Sequence, residues 1–121
     1  GLLPDIERVE LPGGAWWEIR TVITRGMRKA FRKAGLRALS NVPGVDFDDP
    51  EVFKKAFQFH PDLLDLDIVY DAFLLSGTVS WSYPEPISLE AIDKLPSTDV
   101  AVVLSRMNEI YAEKPEEARK N

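Results

Sequence analysis

Cysteine is absent from this chain of 121 residues, and histidine occurs only once. The absence of cysteine excludes disulfides, thiolate metal sites and thiol nucleophiles together, and it is compatible with a reducing compartment such as the cytoplasm. The single histidine, His60, precedes Pro61 at a predicted helix junction and has no identifiable catalytic partner. Because a catalytic base needs a partner in a defined geometry, we interpret His60 as a surface or helix-capping residue.

Metal and phosphate motifs are lacking as well. The acidic string DFDDPE invites comparison with a calcium-binding EF-hand loop. Counting from Asp46, however, places Glu51 where glycine is required and Phe57 where the bidentate glutamate belongs. Gly13 and Gly14 are not followed by the Gly-Lys-Ser/Thr of a phosphate-binding loop. We therefore expect no catalytic, cofactor-binding or metal-binding residues, and no enzymatic activity.

Long apolar runs are also missing. No run approaches the roughly 20 residues that a membrane-spanning helix needs, and the first residues, GLLPDIERVE, have neither the basic start nor the apolar core of a signal peptide. The hydrophobic content of 45% is nevertheless that of an ordinary domain. We predict one globular domain over residues 1–114 with no membrane segment, and a disordered polar tail over residues 115–121.

The charges that are present are segregated along the chain. A formal net charge of −5 argues against general affinity for nucleic acid. Residues 20–37 nevertheless contain seven bases and no acid, whereas residues 46–71 contain eight acids and two bases. Two of these acids, Asp67 and Asp71, are four residues apart, and we interpret them as a solvated face and not as a catalytic pair. The folded molecule is expected to have a positive side and a negative side.

The N-terminal stretch IERVELPGGAWWEIRTVI predicts a β-hairpin, with strands at about residues 6–10 and 16–22 joined by Leu-Pro-Gly-Gly. Trp16 and Trp17 are adjacent and must point to opposite faces of the second strand. One of them is expected to be half exposed or covered by another element. Both are therefore candidate partner-binding residues.

From Thr24, a candidate N-cap, the apolar spacing becomes helical and continues to about Leu39. Basic residues recur three and four apart on the side opposite Phe31. Three interpretations remain open, and we favour them in this order: a solvated helix face, a protein contact made with an acidic face of another copy or with a charged partner helix, and a phosphate contact. For the second interpretation the candidate partner-binding residues are Arg25, Arg28, Lys29 and Arg32.

Four further helices complete the predicted fold. Asp49 is expected to cap a short helix, Asp62 a longer one that ends near Gly77, and Ser88 a short one. The last helix covers residues 97–113. The predicted fold class is α+β, mainly α-helical, with an N-terminal β-hairpin followed by four or five helices in one small domain.

The predicted core is taken from the apolar stripes of these helices. In the longer helix, the stripe consists of Leu64, Ile68, Ala72 and Leu75. The residues expected in the core are Phe31, Phe57, Leu64, Ile68, Leu75, Trp81, Val100, Leu104 and Met107.

An aromatic and proline-rich hinge separates two of the predicted helices. Pro84 and Pro86 fix φ and lack amide donors, so the YPEP stretch must be extended or form a turn. Trp81 is expected to bury its ring between the flanking helices and to hold the reversal in place. The candidate structural anchors are Trp81, Tyr83 and Pro84.

Four features of the chain occur in a familiar order. They are LPGGAWWEIR at residues 11–20, the basic helix directly after it, VSWSYPEPISLEAIDKLP at residues 79–96, and the C-terminal helix. A Pro-Gly-Gly turn running into Trp, and a Trp-Ser-Phe/Tyr-Pro hinge with a Leu-Pro ending, are similar to those of one protein family. In these respects the chain resembles the tail assembly chaperones of long-tailed phages of Gram-positive, particularly actinobacterial, hosts.

The resemblance implies a non-enzymatic protein of the host cytoplasm that binds and solubilises the tape measure protein and helps to recruit the tail tube protein. It also implies absence from the mature virion, and self-association is a further expectation. Two alternatives remain open. One is a structural virion component, such as a head-tail joining or tail-completion protein, and the other is a nucleic-acid-binding regulator that uses the basic helix.

Overall fold

A three-stranded antiparallel sheet, with strand order β1-β2-β3, packs against helices that both precede and follow its last strand. The computed structural model describes residues 5–112, and the predicted tail at 115–121 lies outside the described residues. The elements in chain order are β1 (Ile6–Glu10), β2 (Trp16–Arg20), α1 (Arg25–Ala38), α2 (Val52–Phe59), a 3-10 turn (Pro61–Leu63), α3 (Leu66–Gly77), β3 (Thr78–Trp81), α4 (Leu89–Asp93) and α5 (Ser97–Tyr111).

The predicted α+β fold is confirmed, and so is its N-terminal hairpin. Strands β1 and β2 pair in antiparallel register from Ile6 opposite Arg20 to Glu10 opposite Trp16. The Leu11 amide donates to the Ala15 carbonyl at 2.9 Å and closes the turn. Within it, Gly14 has a φ of +90°, a conformation that favours glycine.

The third strand was not predicted. Residues 78–81 follow α3 without a break and pair antiparallel with β2, so that Trp81 lies opposite Trp17. Trp81 is buried as predicted, but it stands in the sheet and not between two helices. Four residues are too few to display an alternating pattern, and the partner strand is about 60 positions away in sequence.

Helix starts agree with the sequence where a side chain caps them. The Thr24 hydroxyl accepts from the Met27 amide at the start of α1, and the Ser88 hydroxyl accepts from the Ala91 amide at the start of α4. Two other predicted starts were wrong. Asp49 accepts from the Glu51 amide, but α2 begins only at residue 52. Asp62 lies in the 3-10 turn, and α3 begins at residue 66.

The main core fills the space between the sheet and helices α1, α3, α4 and α5. Of the nine predicted core residues, Phe31, Trp81, Val100, Leu104 and Met107 are buried in this core or packed against it, and Leu64 is buried elsewhere. Ile68 is half-buried outside both apolar clusters, and two predicted core residues are exposed. Phe57 and Leu75 are 58% and 47% exposed. The stripes correctly showed which residues share a helix face, but a stripe does not show whether another element covers it. The buried members of the main core are Leu11, Trp17, Ile19, Met27, Phe73, Leu74, Trp81, Ile92, Val103, Met107 and Tyr111.

A second, smaller apolar cluster joins α2 to the C-terminal end of α1. Its buried members are Ala38, Leu39, Ala56 and Leu64. A Cβ added at Gly35 of α1 would lie 2.8 Å from the Phe53 ring, so this glycine allows α2 to approach α1 closely. The predicted core residue Leu64 is buried in this second cluster and not in the main core.

Candidate partner-binding surfaces

Three of the four aromatic residues in the two motifs that carry the resemblance meet in one cluster. Trp17 on β2 and Trp81 on β3 lie edge to face with ring centroids 5.0 Å apart, and Tyr83 contacts both rings at centroid distances of 6.2 and 5.3 Å. The Trp17 indole N–H donates to the Thr78 hydroxyl at 2.8 Å. Among the described residues, no buried side-chain nitrogen or oxygen lacks a hydrogen-bond partner, so the polar ends of these rings are satisfied.

The hinge is tied to the C-terminal helix by the candidate structural anchors. The Trp81 indole N–H donates to the Glu85 carbonyl at 2.7 Å, and the Tyr83 hydroxyl donates to the Asp99 carboxylate at 2.8 Å. Burial, together with this bond to Asp99, raises the pKa of Tyr83 to about 12. Pro84 is exposed, and its ring fixes φ in the backbone of the hinge.

The two adjacent tryptophans differ in how exposed their side chains are to a partner. Trp17 is fully buried, with a relative exposure of 0%, and is therefore not available for contact in the folded chain. Trp16 is half-buried on the other face of the sheet, where the Arg8 guanidinium lies 4.0 Å from its ring centroid. The expected division between one covered and one half-exposed ring is present, and Trp16 alone remains a candidate contact residue.

The basic side chains of α1 divide into two groups. The four candidate residues named above are all exposed and face away from the core residues Met27 and Phe31. Lys33 and Arg37, further around the helix, line the edge of a groove between α1 and α3. No ion pair involves any base of α1 within residues 5–112, so this positive charge is uncompensated in the described part of the chain.

Sequence reasoning missed a groove that runs over α3. It has one compartment of about 350 Å³ between α1 and α3, and another of about 520 Å³ between α3 and the elements that follow β3. Asp71 lines both compartments. Desolvation raises the pKa of Asp71, and the nearby carboxylates of Asp93, Asp67 and Asp65 raise it further. The apolar floor comes from residues that the sequence pattern assigned to the core.

Three exposed phenylalanines lie in α2 and in the loop before it. Phe47, Phe57 and Phe59 are 57%, 58% and 65% exposed. Phe59 also lines a groove of about 370 Å³ between α2 and the preceding loop, together with Val42 and Val45. Large exposed aromatic side chains are unusual on a monomeric surface, and this region is a second apolar candidate for protein contact.

Residues 5–112 contain neither a metal-binding cluster of side chains nor a membrane-spanning helix. In that part of the chain, no cluster of three or more His, Asp and Glu side chains is arranged to hold a metal ion. The longest described helix, α5, has 15 residues, and none of the described helices combines the length and apolarity required to cross a bilayer.

Comparison with known proteins gives no family assignment. No family model, no curated protein and no solved structure matches this chain.

Proposed function

We propose that the chain is a non-enzymatic phage tail assembly chaperone that binds and solubilises the tape measure protein and helps to recruit tail tube subunits. The observation that carries the proposal is the pairing of the two motif segments. The segment at residues 11–20 contributes β2 and the segment at 79–96 contributes β3, and these strands are hydrogen-bonded neighbours with Trp17 opposite Trp81. Two separately weak sequence signals thus belong to one structural unit, which supports the resemblance.

The described surface also suits this role physically. A chaperone of a long helical client needs apolar surface flanked by charge, so that it binds the client and stays in solution. The chain offers the groove over α3, the exposed phenylalanines around α2 and the uncompensated bases of α1. In keeping with this role, we propose that it acts in the host cytoplasm and is absent from the finished particle.

The test is co-expression with the tape measure protein of the same phage. The expected result is that the tape measure protein moves from the insoluble to the soluble fraction and co-purifies with this chain. An unrelated acidic protein of similar size serves as the control. A tape measure protein that stays insoluble in both cases would contradict the proposal.

Two further measurements address the alternative functions. Presence of the chain in purified particles would favour a structural virion component, such as a joining or tail-completion protein, which shares the small size. Binding to DNA or RNA that weakens steeply with salt would favour a nucleic-acid-binding regulator. We propose that neither is observed.

A further inference from the structure

Helix α3 is apolar around most of its circumference, and its polar groups are Asp67, Asp71, Ser76 and the hydroxyl of Tyr70. A helix of this kind is normally buried on all sides. Here one face enters the core through Phe73 and Leu74. The opposite face carries Ile68, Ala72 and Leu75, which are half-exposed or, for Leu75, 47% exposed.

These three residues recur at i, i+4 and i+7 and form the floor of the groove. Residues 68 to 75 rise by about 10 Å along the helix, which matches two turns of a partner helix. The spacing is that of a helix-in-groove contact, in which the apolar stripe of one helix packs on the apolar stripe of another.

The two rims of the groove carry opposite charge. The α1 rim has Lys33 and Arg37. The opposite rim, formed by α3 and α4, has Asp71, which lines both compartments, and Asp67 and Asp93, which line the neighbouring compartment. None of these five residues forms an ion pair with another residue in the range 5–112. The groove therefore has a fixed electrical polarity across its width.

We propose that this groove binds one amphipathic α-helix of the client protein. The client helix packs an apolar stripe on Ile68, Ala72 and Leu75, directs an acidic flank towards the basic rim on α1, and directs a basic flank towards the acidic rim. Charge complementarity fixes the direction in which the helix lies. The identity of the client rests on the proposed function, but the site itself does not.

A second copy of this chain fits the groove less well. Within residues 5–112, α2 alone among the helices has two large exposed apolar side chains, and these are Phe57 and Phe59. Residues two apart point to different sides of a helix, so α2 does not present a continuous stripe. Helix α3 of a second copy carries the same stripe, but there the stripe is the floor of an identical groove, and two concave surfaces do not fill one another.

The direct probe is a designed helical peptide of about 20 residues, or about 30 Å, with a leucine stripe, glutamates on one flank and lysines on the other. Reversing the direction of a helix exchanges its flanks, so this single peptide fits whichever direction the groove demands. Two control peptides keep the stripe and carry only glutamates or only lysines, so each meets one repelling rim. We expect the mixed peptide to bind about ten-fold more tightly than either control, since several exposed charge pairs are involved.

Variants of the chain test the floor and the rims separately. Leu75→Glu introduces a charge into the floor and should weaken binding of the mixed peptide at least about ten-fold. Its matched control is Val102→Glu on α5, a residue that is 38% exposed and does not line the groove. The rim variant Lys33→Glu with Arg37→Glu should weaken the mixed peptide and strengthen the all-lysine peptide. A gain of binding cannot result from unfolding.

Binding is measured by fluorescence anisotropy, and the site is located by amide chemical shifts in NMR spectra. Shifts centred on Ile68, Ala72 and Leu75 support the proposal. Absence of saturable binding, or shifts centred on Phe57 and Phe59 instead, would overturn it. Concentration-dependent shifts of the groove amides in the chain alone would assign the groove to a second copy and also overturn it.

The experiments distinguish a failure of this inference from a failure of the proposed function. If the parent chain and Leu75→Glu solubilise the tape measure protein equally well, the groove is not the client-binding site, but the proposed function stands. If the chain binds the mixed peptide in the groove but leaves the tape measure protein insoluble, the groove is a helix-binding site, but the tape measure protein is not its client.

Discussion

Trp17 and Trp81 are cross-strand neighbours whose rings meet edge to face, with centroids 5.0 Å apart and an interplanar angle of 88°. Such pairs contribute about 0.5–1.5 kcal/mol beyond the burial of their area. The contact joins a strand near the N-terminus to a hinge more than 60 residues later. It also makes the N-terminal hairpin dependent on the hinge, because β3 completes the sheet.

Replacing Trp81 with alanine should therefore destabilise the domain by about 3–5 kcal/mol, the usual cost of deleting a buried aromatic ring. Trp16→Ala is the matched control. It removes the same side chain from a half-buried site and should cost clearly less. Urea unfolding followed by circular dichroism measures both. An unchanged unfolding midpoint for Trp81→Ala, together with loss of client binding, would instead make Trp81 a contact residue.

The sequence was sufficient to predict the burial of Trp81 but not its neighbours. Helical periodicity is local, and for this reason the extents of α1 and α5 and the caps at Thr24 and Ser88 could be predicted. Strand β3 has only four residues and is defined by pairing with a distant strand. No local pattern contains that information.

The groove over α3 was missed for a related reason. The spacing of Ile68, Ala72 and Leu75 correctly predicts that they share a helix face, but the further prediction that this face is buried is wrong for Leu75. Whether another element covers a face depends on where the remaining helices pack. Here α1, α4 and α5 leave that face open. The charge segregation of the α1 bases was visible in the sequence, but their lack of ion pairs was not.

Gly77→Ala should destabilise the domain by about 1–3 kcal/mol through overpacking. A Cβ at Gly77, the last residue of α3, would lie 2.6 Å from the Tyr111 hydroxyl oxygen. That hydroxyl is held in place because it donates to the Arg20 carbonyl. The control is Gly26→Ala in the first turn of α1, where the nearest atom lies 3.8 Å from the added Cβ. It should stabilise the helix by about 0.5–1 kcal/mol. Thermal melting distinguishes the two, and equal effects would contradict the predicted clash.

Alkaline titration should detect two tyrosines that ionise late. Burial raises the pKa of both Tyr83 and Tyr111 to about 12, from an ordinary value of 10.0. Both groups keep their protons longer in the folded state than in the unfolded state. Their contribution to stability is therefore complete below about pH 10 and is lost as the pH rises towards 12. Ultraviolet absorbance of phenolate follows the titration, and Tyr83→Phe should remove one late-ionising group. Ionisation of both tyrosines with a midpoint near pH 10 in the folded chain would refute the prediction.

Asp71→Asn should stabilise the folded chain at neutral pH. Desolvation, with the carboxylates of Asp93, Asp67 and Asp65, raises the pKa of Asp71, so folding favours its protonated form. The parent therefore loses stability as the pH rises through the range between the unfolded and folded pKa values, whereas the variant does not. The gain should be below about 1 kcal/mol, as for surface charge interactions in general, and should vanish in acid. Urea unfolding at several pH values measures it, and a gain that persists in acid would exclude the electrostatic cause.

The exposed bases of α1 provide the last prediction, which concerns association and not folding. Exposed ion pairs contribute only about 0–1 kcal/mol each, so a single substitution should have little effect. Reversing four residues to glutamate should slow encounter with an acidic partner surface and invert the salt dependence of association, because complementary charge acts mainly on the encounter rate. The fold should survive, since these side chains are exposed and face away from Phe31. The four residues are Arg25, Arg28, Lys29 and Arg32.

The corresponding quadruple glutamine variant is the matched control, because it removes the attraction without adding repulsion and should give an intermediate effect. Circular dichroism verifies that both variants fold. Sedimentation at low and high salt then reports self-association, and co-purification reports binding to the tape measure protein. If the glutamate variant folds and both forms of association are the same as in the parent, the bases are a solvated helix face. If self-association alone is lost, the partner surface is the acidic side of a neighbouring copy, and if client binding alone is lost, the bases contact the client.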